Sequence, residues 1–141
     1  MTSPDPLAEG ARRADHFLTL LGADDAAAGD LLDSIPEVRD LVFLGAGLTA
    51  VARSEARFLP PAQRAQANTR QLQLGMLRDA NRSSPEGLRT WLRRAGEEIG
   101  LIRSQLEIAD RVEAEAQERM ATRAAAEASG TAATSSAATT T

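Results

Sequence analysis

The chain has 141 residues, a formal net charge of −4, 43% apolar residues, 3% aromatics, a single histidine and no cysteine. The missing cysteine excludes disulfides, thiolate nucleophiles and cysteine-based metal sites together. Nearly half of the apolar content is alanine, and β-branched residues are scarce outside the Thr-rich end, so the fold class expected is all-α.

Charge is segregated along the chain. Residues 1–40 are acidic, 60–94 are basic, and the chain is acidic again from Ala95. Every basic residue is arginine, which accords with a composition rich in Arg, Ala and Gly and sets no function by itself. Met1 to Pro6 carries no basic stretch leading into an apolar core, unlike a secretory signal. The longest apolar run, Leu41 to Ala52, falls well short of the roughly 20 residues that span a bilayer. A cytoplasmic protein is the expectation.

A first helix is predicted from about Pro6 to Leu21, stopped by Gly22, and a short second one from Asp25 to Leu32. Ser34-Ile35-Pro36-Glu37 has the spacing of a capping box, predicting a third helix from there to about Phe58, ended by Pro60-Pro61. A fourth is predicted over Ala62 to Ala80. Ser83 or Ser84 then caps a last helix running towards Ala126. Such a helix would be about 60 Å long at 1.5 Å per residue, so it either breaks near Gly96 or Gly100 or projects. The architecture expected is a four- to five-helix bundle over 1–128, with a disordered Thr/Ala/Ser tail over 129–141.

The strongest regularity lies in the last helix. Apolar or small residues recur at heptad steps from Leu88 through Leu92, Ala95, Ile99, Ile102, Leu106 and Ala109 to Met120, the mark of one helix offering a seam to others. Leu88, Leu92, Ile99, Ile102 and Leu106 are the partner-binding seam expected. Beyond Leu106 the seam positions are Ala109, Glu113 and Ala116, too small or charged to grip tightly. Trp91, Leu101, Ile108 and Val112 lie off the seam, which favours a bundle over a two-stranded coil.

Gly45, Gly47 and Ala50 match the spacing of a dinucleotide-binding turn. An apolar run precedes them as a strand would, but that turn also needs a second strand with an acidic residue about 20 positions on, which the chain does not supply. A buried helix with Val38, Leu41, Leu48 and Ala52 near heptad spacing, whose glycines admit a close neighbour, is preferred. His16 lacks ligand spacing to any carboxylate. Asp24, Asp25, Asp30 and Asp33 lack the alternation of a calcium loop and fit helix capping. No catalytic residue, metal or cofactor is expected.

The basic segment 64–94 has two readings. Arg78, Arg82, Arg89, Arg93 and Arg94 fit contacts either to phosphates or to acidic protein segments. A pI of about 5.0 favours the second. The function expected is non-enzymatic helical protein–protein interaction, in a structural or assembly/adaptor protein that self-associates. The alternative is a nucleic-acid-associated protein using the Arg-rich segment, and no membrane partner is expected.

Overall fold

The computed structural model describes residues 5–139, with side chains placed over 5–130. It is all-α. Five helices make up the described residues: α1 (Pro6–Ala23), α2 (Asp25–Asp33), α3 (Val38–Ala56), α4 (Pro61–Ala80) and α5 (Pro85–Thr139). The chain divides into two compact units, Met1–Gln105 and Leu106–Thr141. The tail expected over 129–141 lies, from residue 131 onward, outside the described side chains.

In the first unit, short side chains place each boundary. Asp5 Oδ1 accepts the Leu7 amide at 3.1 Å, satisfying a donor that the first turn leaves free. Asp24 serves two helices. Its own amide donates to Leu20 O at 2.6 Å, ending α1, and its Oδ1 accepts the amides of Ala26 and Ala27 at 3.1 and 3.3 Å, starting α2. Gly22 therefore does not stop α1; it lies within that helix, and no glycine among the described residues has a positive φ.

Ser34 also departs from expectation. It closes α2, its hydroxyl donating to Leu31 O at 2.6 Å, and α3 starts only at Val38, after a Glu37 cap that makes no side-chain hydrogen bond. A serine beside unsatisfied helix-end carbonyls donates to them as readily as it caps a following helix. Ser84 does behave as expected, its Oγ accepting the Gly87 amide at 3.1 Å. Asn81 Nδ2 donates to Leu77 O at 2.8 Å, closing α4.

Small residues let α1 pack along α3, while α2 packs against α1. Gly10 lies against the Phe43 backbone, and Gly47 against Ala14 and the α1 backbone. Side chains on α3 fall inward at steps of three and four: Leu41, Leu44, Leu48, Ala52 and Ala56 are buried. Phe17, Leu32, Leu88, Leu92, Ile99 and Ile102 complete the core. Each such side chain contributes about 1.5–3 kcal/mol relative to exposure. Along α4, by contrast, Ala67 is the one buried residue.

α5 is continuous through Gly96 and Gly100, so neither glycine breaks it. In the second unit no side chain from Glu107 to Gly130 is buried. Leu106, Ala109 and Ala116 are half-buried, whereas Ile108, Val112 and Met120 are 56%, 55% and 71% exposed. Arg111–Glu107 at 3.5 Å and Arg123–Glu127 at 3.4 Å pair along the helix surface.

Candidate functional site

The heptad seam serves first as the chain's own core. Leu88, Leu92, Ile99 and Ile102 are each 0% exposed within the first unit, which leaves them no surface for a second chain in this fold. Leu106 is half-buried. The off-seam Trp91 is also buried, its indole lying on Gly45. Gly45 and Gly47 are thus notches in helix α3 that receive Trp91 and α1, and no strand precedes them. His16 is exposed. Among the described residues, no group of three or more His, Cys, Asp or Glu side chains could hold a metal ion.

The five singled-out arginines separate into two sets. Arg89 Nε donates to Leu32 O at 3.1 Å and its Nη2 to Ile35 O at 3.0 Å, capping the end of α2. Arg93 lies over Gly29 and 3.6 Å from Asp25. Both are engaged by the acidic N-terminal segment of the same chain. Arg82 and Arg94 are exposed and make no ion pair among the described residues, while Arg78 pairs with its neighbour Asp79 at 3.2 Å.

Two further arginines that composition alone does not single out bridge helices. Arg70 Nε donates to both oxygens of the buried Glu98, at 2.7 and 2.8 Å, fastening α4 to α5. Its Nη2 is buried without a hydrogen-bond partner. Arg103 binds Glu55 on α3 through two hydrogen bonds, at 2.8 and 3.1 Å, and that carboxylate holds the guanidinium above its ordinary pKa. Glu9 is held below the usual carboxylate range by its hydrogen bond from Arg12.

A cleft of about 560 Å³ lies between α3 and α4. Leu48, Thr49, Ala52 and Arg53 form one wall, Leu72, Gly75 and Met76 the other, with Trp91 and Ala95 between them. Leu72 and Met76 are 73% and 71% exposed although both are large and apolar. On α4 only Ala67 is buried and Leu74 and Leu77 are half-buried, with Arg70 fastened to Glu98, which leaves the Leu72/Met76 side of the helix open. Its lining combines apolar surface with Arg53, Arg78, Asp79, Asn68 and Gln71, a mixture suited to binding. Sequence reading missed it; the available signal was the i, i+4 pair Leu72/Met76 in an otherwise polar helix.

No helix among the described residues is long and apolar enough to cross a membrane. Comparison with protein-family models, curated proteins and solved structures gives no match.

Proposed function

We propose that this is a non-enzymatic helical assembly or adaptor protein that self-associates, with residues 106–130 of α5 as its contact element. One observation carries the reading: Ile108, Val112 and Met120 are more than half exposed on a stretch of helix in which nothing is buried. A helix without a buried face has only propensity and weak surface pairs to hold it, so a second surface is what would stabilise it. Protein contact is preferred to nucleic acid because Arg89 and Arg93 are already tied to α2, which removes two of the cations that phosphate binding would use.

Molar mass in solution, for the full chain and for one ending at Gln105, tests this. A concentration-dependent rise in mass for the full chain alone supports it. A full chain that stays at 14.9 kDa at every concentration overturns self-association.

A further inference from the structure

We propose that the cleft between α3 and α4 receives residues 107–118 of α5 from a second copy of this chain. The inference rests on the self-association reading above and names the surface it uses.

Among the described residues, the exposed large apolar side chains are Leu7, Phe58, Leu72, Met76, Leu101, Ile108, Val112 and Met120. Only two pairs among them are spaced i, i+4 on a helix: Leu72/Met76 and Ile108/Val112. Residues four apart share one helical face, so each pair is a local apolar stripe. One stripe rims the cleft and the other is convex, on a helix with no buried residue nearby. An amphipathic helix laying such anchors into a groove is a recurrent mode of recognition.

Charge selects the same pairing. The stretch 107–118 carries Glu107, Asp110, Glu113, Glu115 and Glu118 against Arg111. On the receiving side, Arg53 and Arg78 line the cleft against one carboxylate, Asp79, which Arg78 pairs at 3.2 Å. Arg57 follows Arg53 one turn later, and neither Arg53 nor Arg57 has a carboxylate partner among the described residues. The Arg57 guanidinium instead rests 4.7 Å from the exposed Phe58 ring. An acidic helix docking on these walls would supply the missing carboxylates and steer the encounter. Two acidic stretches laid side by side, or two basic α4 helices, would instead bring like charges together.

The experiment measures molar mass of full-length chains by light scattering, with helicity checked by circular dichroism. One variant alters the cleft (Leu72→Glu with Met76→Glu) and another the inserted helix (Ile108→Glu with Val112→Glu). All four positions are exposed, so folding is retained. Each variant alone is expected to fall to the mass of a single chain. An equimolar mixture is expected to associate again, because it restores one intact cleft to one intact helix. Arg53→Glu with Arg57→Glu leaves the apolar walls unchanged and is expected to weaken association at least tenfold.

A cleft variant that keeps the native mass, or a mixture that remains monomeric, overturns the proposal. If the helix variant alone loses association, residues 106–130 remain the contact element and only the cleft is eliminated. A native chain that never associates removes both readings.

Discussion

Gly45 lies directly under the indole of Trp91: a Cβ at that position would come within 2.9 Å of Cζ2 and closer still to Cζ3 and Cη2. Gly45→Ala therefore gains helix propensity, about 1 kcal/mol, but forces the ring out of the core. Overpacking of this kind costs typically 1–3 kcal/mol. The net expectation is destabilisation with a more mobile Trp91, read by denaturant unfolding and a red shift in tryptophan emission. An unchanged midpoint would show that α3 and α5 separate more easily than this packing implies.

Gly22 and Gly100 supply the contrast. Both sit inside helices, and a Cβ at either would meet nothing within 4 Å. Gly22→Ala and Gly100→Ala should each stabilise by about 0.5–1 kcal/mol, mainly through the lost freedom of the unfolded chain. The same assay that reads Gly45→Ala reads these, with the opposite sign.

Those glycines show where the sequence was legible. The stripe Val38, Leu41, Leu48 and Ala52 announced a buried helix, of which all but the half-buried Val38 are buried, and Ser83 or Ser84 announced the start of α5. The heptad series marked residues that are buried from Leu88 to Ile102; of the off-seam residues expected to be covered by further helices, Trp91 is buried, whereas Leu101, Ile108 and Val112 stay exposed. Gly10, Ala14 and Gly47, which bring α1 onto α3, carry almost no hydrophobic signal, so the pairing of those two helices was hidden. Ser34 and Gly22 misled because identical residues suit the end of one helix and the start of another, and only hydrogen-bond supply decides between them. Ion pairing across helices was illegible too: Glu98 turns to Arg70 rather than to Arg94 one turn before it, and Arg103 to Glu55 rather than to Glu107. The cleft was illegible because it arises from how little α4 buries, a property of packing rather than of local pattern.

Arg89 caps a helix from a distance. Its two hydrogen bonds reach the carbonyls of Leu32 and Ile35 at the end of α2, whereas its ion pair to Asp33 is long, at 3.9 Å, and that carboxylate is 74% exposed. Removing a charged donor from buried carbonyls costs about 1.5–3 kcal/mol, while an exposed pair contributes less than about 1 kcal/mol. Arg89→Ala should therefore destabilise markedly and Asp33→Asn hardly at all. Equal effects from the two substitutions would transfer the role from the carbonyls to the ion pair.

Arg70–Glu98 is the anchor of α4, and its energetics are asymmetric. Glu98 is 7% exposed and Arg70 27%. Truncating one member leaves a largely buried charge, at a cost of about 3 kcal/mol, the low end of the range for buried pairs because Arg70 still reaches water. Replacing both with apolar residues is expected to be near neutral. Glu98→Ala should raise amide exchange across α4 selectively, and Arg70→Met with Glu98→Leu should restore it. Uniform loss of protection across all helices after Glu98→Ala would instead place the pair at the centre of global stability.

The two stretches of α5 should differ in amide protection. Leu88 to Ile102 carries a fully buried seam, so its exchange requires opening the core and should report the global stability. Residues 106–130 bury no side chain fully, with Leu106, Ala109 and Ala116 half-buried, and surface pairs such as Arg111–Glu107 contribute only about 0.2–0.5 kcal/mol each. Alanine-rich sequence favours helix there, but helix without tertiary contact is marginal in water. At high dilution these amides are expected to exchange far faster than those of the seam. Protection should then climb with protein concentration as the apolar face around Ile108 and Val112 becomes covered, while the seam stays constant. Concentration-independent protection over 106–130 would mean that the helix is held by its own propensity, and would remove the energetic reason for it to seek a second chain.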